Sequence, residues 1–217
     1  HRNTRRQRQM CIRDRPNNPT GTYLSRDQLV KLMNSISKNI IVVIDGAYVE
    51  YVQKDDYDKG FSLTDEYENI ILTRTFSKTY GLAALRVGWC YTSQKIADII
   101  NKIKPPFNTT TISQSLAIKA LEDKEHIENS VKLNSEIKDW FEKELKLLNI
   151  KTRQTEGNFT LIETSAEEAE KISNHLMNDG IIIRRLNSYN LPNFLRISIG
   201  TKEEMNLTVE SLKKFNV

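Results

Sequence analysis

The sequence predicts an α/β fold: a mostly parallel sheet followed by a small α+β domain. Three observations predict it. Asn39-Ile40-Ile41-Val42-Val43-Ile44-Asp45 sets five β-branched residues in succession, the pattern of a strand buried on both faces of a parallel sheet. A helix signature precedes this run, and a second apolar run, Asn69-Ile70-Ile71-Leu72, follows it. The final third then changes rhythm, with strand-like and helical segments in a βαββα order.

The chain has 217 residues, enough for one large domain or a domain and a half. Apolar residues make up 38% and the mean hydropathy is −0.53. The longest apolar run, Ile40 to Ile44, is far too short to cross a membrane as a helix. The net charge of +4 hides an asymmetry, because residues 1–15 carry six Arg against one Asp, or +5, which leaves −1 for the rest. An Arg-rich start can mark a nucleic-acid-binding arm or a transit peptide. This one lacks apolar periodicity, serine richness and interleaved aromatics. Arg5-Arg6-Gln7-Arg8-Gln9-Met10-Cys11-Ile12-Arg13-Asp14-Arg15 resembles translated sequencing-adapter read-through, so residues 1–15 are expected to be a disordered, non-native leader. No nucleic-acid partner is expected. Outside that leader the one cysteine is Cys90, in a strand-like run where a thiol is expected to be buried as a small hydrophobe. Without a disulfide framework, a reducing cytoplasm is favoured.

Element by element, Pro16-Asn17-Asn18-Pro19-Thr20-Gly21 is turn chemistry. Ser25 with Gln28 three residues later forms a capping-box pattern, and Leu29, Leu32, Met33 and Ile36 give the helix its apolar stripe. Residues 49–68 read as a polar loop. Arg86 to Tyr91 reads as another strand. Ser93 should cap a helix to Ile103 with Ile96, Ile99, Ile100 and Ile103 on one face. Pro105-Pro106 breaks the chain, and a domain boundary is expected at 104/105. Helices over 111–121 and 124–148 follow, with Trp140 in a packing position. Strands are expected at 158–162, 180–184 and 193–200, and helices at 166–177 and after Thr201, with Glu204 completing a second capping box.

Chemistry concentrates in Thr73-Arg74-Thr75-Phe76-Ser77-Lys78, continuing to Arg86. Lys78 lies just past a strand end, where open α/β sheets carry their sites. A Schiff-base lysine serving pyridoxal 5'-phosphate needs a carboxylate for the pyridine nitrogen, donors to the ring oxygen and a phosphate cup. Asp45 supplies the acid in this reading. Left to itself, an Asp at a strand end can equally cap the next segment. Tyr48 and Asn18 would hold the ring oxygen, and Thr75, Ser77 and Arg86 the phosphate, the arginine through paired donors. No metal site is expected.

Asn18-Pro19-Thr20-Gly21, Asp45-Gly46-Ala47-Tyr48 and Ser77-Lys78 with Arg86 resemble the class II aminotransferases of fold type I. Pro16 to Gly21, Lys104-Pro105-Pro106-Phe107-Asn108 and Asn193 to Thr201 are similar to the histidinol-phosphate aminotransferase branch of that family. The resemblance runs from Pro16 to the C-terminus. It implies a pyridoxal-phosphate enzyme moving an amino group between glutamate or 2-oxoglutarate and histidinol phosphate or imidazole acetol phosphate. It also implies Arg196 as the substrate-anion arginine and Arg184 as a second, although Arg184 can equally be a surface charge. A homodimer is implied. Gly46 departs from the family, which usually has an acidic residue there. The resemblance further implies that residues 16–104 are the C-terminal part of a truncated cofactor-binding domain. Residues 105–217 would then be linking helices and the small domain, and the chain alone an incomplete enzyme. Alternatives are an aromatic amino-acid aminotransferase, a related phospho-amino-acid decarboxylase, or a non-catalytic effector domain.

Overall fold

The computed structural model describes residues 10–215, with side chains from residue 14 onward. The expected leader at 1–9 lies outside the described residues. The chain divides into two units, one running to Asn17 and resuming over Tyr23–Glu128, the other formed by Asn18–Thr22 and Asn129–Val217.

Unit 1 holds a mixed sheet ordered β1-β2-β3-β4, with β1 Met10–Asp14, β2 Ile41–Asp45, β3 Ile70–Thr75 and β4 Gly88–Thr92. The first three strands are parallel and β4 is antiparallel to β3. Strand β1 corrects the expectation that residues 10–15 take no part in the fold. Arg15 is buried, its Nε donating to the Leu24 carbonyl at 2.6 Å and its guanidinium 4.2 Å above the Tyr57 ring. Sheet pairing uses backbone groups, which every non-proline residue carries, so composition alone gave no sign of this strand.

Helix α1, Arg26–Ser35, starts at the expected capping box. Ser25 Oγ accepts the Gln28 N–H at 3.3 Å, and Gln28 Oε1 accepts the Ser25 N–H at 3.0 Å. Leu29 and Met33 pack against Val42, Ile44, Ile70 and Leu72. Strand β2 is not buried on both faces as expected. Val42 and Ile44 are buried, whereas Ile41, Val43 and Asp45 are half-buried, because the chain packs a helix on one side only of this strand. Residues 49–68 are not all loop: a 3₁₀ turn spans Val49–Tyr51 and helix α2 spans Phe61–Glu66. Six residues are too few for a 3.6-residue period to register, and only Leu63 reaches the core.

Helix α3, Gln94–Ile103, forms where expected, but no residue of it is buried, and Ile103 is 74% exposed. Among the described residues its apolar face is only partly covered: Ile96 and Ile100 are half-buried, and Ile99 and Ile103 are exposed. Cys90 is exposed rather than buried, because β4 is an edge strand. Helix α4, Thr111–Glu122, remains with unit 1 beyond the expected boundary. Ala117 packs with Phe76 and Val87, and Ser113 Oγ donates to the Leu85 carbonyl at 2.9 Å. The division instead falls inside helix α5, Lys124–Leu147.

Unit 2 is an antiparallel sheet ordered β5-β6-β8-β7, with β5 Lys151–Arg153, β6 Phe159–Glu163, β7 Arg184–Arg185 and β8 Phe194–Ser198. Helices α5, α6 (Ala166–Asn178) and α7 (Lys202–Phe215) bury Phe141, Leu145, Leu176 and Leu212 with Ile162 and Leu195 of the sheet. The strand expected over 180–184 shrinks to two residues. Gly180, at φ +80°, ends α6 instead: its N–H donates to the Met177 carbonyl at 3.0 Å and the Ile181 N–H to the Leu176 carbonyl at 2.8 Å. That pair of bonds is the Schellman motif. Thr201 and Glu204 form the second capping box.

Leu29→Ala and Leu145→Ala, each at a fully buried position of its own unit, should each lower unfolding free energy by about 2–5 kcal/mol in urea titration. A loss under about 1 kcal/mol would contradict the core assignment.

Candidate active site

In unit 1 the chemistry gathers at the C-terminal ends of β2 and β3. Their register pairs Asp45 with Thr73, so the acid ends its strand beside the strand that leads to Lys78. Asp45 Oδ1 accepts the Ala47 N–H at 3.1 Å. This is the capping arrangement the sequence allowed, and it fixes the carboxylate at the strand end. Oδ2 has no hydrogen-bond partner among the described residues. Tyr48, 4% exposed, lies where the chain leaves the sheet, and the Lys78 ammonium sits 5.3 Å from its ring centroid.

The loop from β3 to β4 is closed by its own backbone. Phe76 N–H bonds the Val87 carbonyl at 3.2 Å, Leu82 N–H the Phe76 carbonyl at 2.8 Å, and Gly81 N–H the Lys78 carbonyl at 2.9 Å. Phe76 and Val87 anchor it over Ala117 of α4, and His126 Nε2 bonds the Thr79 carbonyl at 3.2 Å. Thr75 Oγ1 accepts the Ser77 N–H at 3.1 Å, which turns the chain at the base of the loop. Lys78 is exposed and makes no ion pair among the described residues. Arg86 follows a short 3₁₀ turn and takes φ +51°, an uncommon conformation for a residue with a side chain. Its Nη1 donates to the Ala83 carbonyl at 3.0 Å, leaving other guanidinium donors open.

In unit 2, three further residues meet. Arg196 of β8 donates through Nη1 to Asn18 Oδ1, and its guanidinium lies 5.1 Å from the Phe159 ring centroid. Its Nε is buried with no hydrogen-bond partner among the described residues. Arg184 is in direct register with Arg196 across β7 and β8, so both side chains leave the same face of the sheet. Arg185 leaves the opposite face and pairs with Glu170 of α6 at 3.4 Å. Facing like charges repel. A pair of facing arginines with an unsatisfied buried N–H is the donor set of an anion site.

The sequence reading missed Phe159, the ring beneath Arg196, because nothing in a strand's own residues tells which neighbour will lie opposite. It also passed over Arg74. Strict alternation from Thr73 and Thr75 would have placed Arg74 on the core face, a costly position that demands an explanation.

Comparison with known proteins gives the class to which this chain belongs. Residues 2–212 match the family Aminotransferase class I and II, and the chain belongs to that family. It is 42% identical over 205 residues to the histidinol-phosphate aminotransferase of Pelagibacter ubique (strain HTCC1062), covering 93% of this chain and 57% of that protein. It is 38% identical over 203 residues to that of Rhodopseudomonas palustris (strain BisB18), covering 92% and 56%. The structure matches the crystal structure of histidinol-phosphate aminotransferase from Sinorhizobium meliloti in complex with pyridoxal-5'-phosphate with a TM-score of 0.88 and 26% identity, covering 98% of this chain and 59% of that one. The chain thus spans little more than half the length of these relatives, and its fold is part of the fold-type I α/β architecture.

The facing arginines carry a prediction. Adding phosphate should raise the thermal midpoint of the protein, and Arg184→Gln should remove most of that rise. Without phosphate, Arg184→Gln should leave stability unchanged or raise it by about 0.5 kcal/mol, because one repulsion is lost. Equal phosphate responses in the two proteins would contradict a shared anion site.

Proposed function

We propose that the chain is the larger part of a pyridoxal-phosphate-dependent aminotransferase acting on histidinol phosphate. The observation that carries this reading is Lys78 held beside Tyr48 at the sheet end that also holds Asp45. The donor set fits the cofactor. An amine, an ionisable oxygen with a free lone pair, hydroxyls and a guanidinium with open donors match an aldehyde, a ring nitrogen and a phosphate in number and kind. When bound, pyridoxal phosphate supplies an electron sink for charge developing at the substrate Cα.

In this reading Lys78 Nζ would hold the cofactor's aldehyde carbon, and its amine would serve as the base for the proton on the substrate Cα. Asp45 would keep a proton on the ring nitrogen. Tyr48 and the Asn18 amide nitrogen would donate to the ring oxygen; Arg196 already occupies Asn18 Oδ1. Thr75, Ser77 and Arg86 would hold the phosphate. Arg196, with Arg184, binds the carboxylate of glutamate in one half of the exchange and the phosphate of histidinol phosphate in the other. A guanidinium fork suits both oxyanions. The names and identities of the relatives support the histidinol phosphate assignment over the aromatic and decarboxylase alternatives.

The whole enzyme is proposed to be a cytoplasmic homodimer. Among the described residues no helix is long and apolar enough to cross a membrane. The share of the relatives that the chain spans supports a longer enzyme, with this chain incomplete by itself.

The full-length protein should show the visible absorption band of lysine-bound cofactor and transfer the amino group of histidinol phosphate to 2-oxoglutarate without releasing CO2. Lys78→Ala should abolish the band and lower the rate at least about 10³-fold. Absence of the band from the wild-type protein would refute the reading.

A further inference from the structure

We infer that Arg74 is a positioning residue for the Asp45–Tyr48 turn, and that position 46 is glycine so that the Arg74 guanidinium can lie directly beneath that turn. The inference rests on the proposed cofactor role of Asp45 and Tyr48.

Arg74 is 7% exposed, in the middle of a sheet. Along β3 it shares a face with buried Ile70 and Leu72, while Thr73 and Thr75 point to the other face. Asp45, in register with Thr73, belongs to that other face as well. Arg74 therefore sits behind the candidate site and must act through the backbone.

The backbone connection is specific. Arg74 Nη1 donates to the Thr73 carbonyl at 2.8 Å, and the Gly46 N–H donates to the same oxygen at 3.1 Å. One carbonyl thus receives the guanidinium and the first N–H after Asp45. Arg74 Nη2 donates to the Lys59 carbonyl, which fastens the loop before α2 to the same cation. The rings of Phe61 and Trp89 lie 5.5 and 5.9 Å from the guanidinium carbon and stack on each other at 6.2 Å. Burial lowers the Arg74 pKa from its ordinary value, and Tyr57, Glu50 and Asp45 pull it back up. The buried cation is therefore supported on several sides.

Gly46 is explained by this cation and not by its own backbone. The glycines with positive φ among the described residues are Gly21, Gly60, Gly81 and Gly180; Gly46 is not one of them. Any residue could adopt its conformation. What occupies the space of a side chain is the guanidinium: a Cβ at position 46 would stand 2.2 Å from Arg74 Nη1, 2.8 Å from Cζ and 3.1 Å from the Thr73 carbonyl oxygen, so it requires the end of the Arg74 side chain to shift. An alanine there must move either the guanidinium or the turn that carries Asp45 and Tyr48.

A double-mutant cycle in the full-length protein tests this. In the cofactor-free protein, Gly46→Ala should lower the thermal midpoint in the wild-type background and leave it nearly unchanged in an Arg74→Ala background. In the loaded protein, Gly46→Ala should weaken pyridoxal phosphate binding on the order of 10-fold and move the pH midpoint of its visible band. In the Arg74→Ala background the same change should stay within about 2-fold. Arg74→Met, which also vacates the space beside Gly46, provides a second background if Arg74→Ala does not fold. Equal effects of Gly46→Ala in both backgrounds overturn the coupling. Coupled thermal midpoints with unchanged cofactor affinity and pH midpoint overturn the positioning role. A wild-type protein that binds no cofactor overturns the proposed function, while the cofactor-free cycle still decides whether Gly46 and Arg74 are coupled.

Discussion

The parallel pairing of β2 with β3 is the constraint on which the rest of unit 1 depends. Parallel strands end on the same side of the sheet, so their following loops emerge together. Register then sets the detail. With Asp45 opposite Thr73, the carboxylate ends one strand two residues before Thr75 ends the other, and Lys78 follows three residues later. A slip of one residue would send Asp45 to the core face and bring a β-branched side chain out in its place. Val42, Ile44, Ile70 and Leu72, buried together under Leu29 and Met33, make such a slip costly. The hydrophobic contact beneath the sheet thereby holds the polar geometry above it.

Unit 2 uses the same logic with antiparallel strands. Leu195 and Ile197 face the helical core, so Phe194 and Arg196 must face away from it. Pairing of β7 with β8 then brings Arg184 opposite Arg196. The two arginines share a face because Leu195 and Ile197, on either side of Arg196 in β8, have a fixed burial side. Asn18, from a distant part of the chain, satisfies one arm of Arg196, and its Nε remains unpaired in a buried place. An anion bound there would offset the cost of that arrangement.

Much of this was legible in the sequence. The capping boxes at Ser25 and Thr201 formed as read, because both partners of each hydrogen bond lie within four residues. Strands β2, β3, β6 and β8 also formed, since their apolar runs have no polar solution. Elements were misread where the determinant was distant. The isoleucines of α3 have helical spacing, but a stripe shows only which face is apolar, and among the described residues none of this one is fully buried. Cys90 sits in a strand whose edge position depends on the order of four strands. Gly180 looked like the start of a strand, yet its positive φ serves the end of the preceding helix.

The sequence by itself determined the kinds of chemistry present: an amine flanked by hydroxyls, an acid and a phenol three residues apart, and arginines at the ends of apolar runs. Those follow from residue type and local spacing. Tertiary structure alone decided which groups face one another. Asp45 meets the strand leading to Lys78 through register, Arg184 rather than Arg185 shares a face with Arg196, and Arg74 fills the space that leaves Gly46 without a side chain. The physical reason is the same in each case. Facing is set by strand pairing and by which side of a sheet the core occupies, and both depend on residues far apart in the chain.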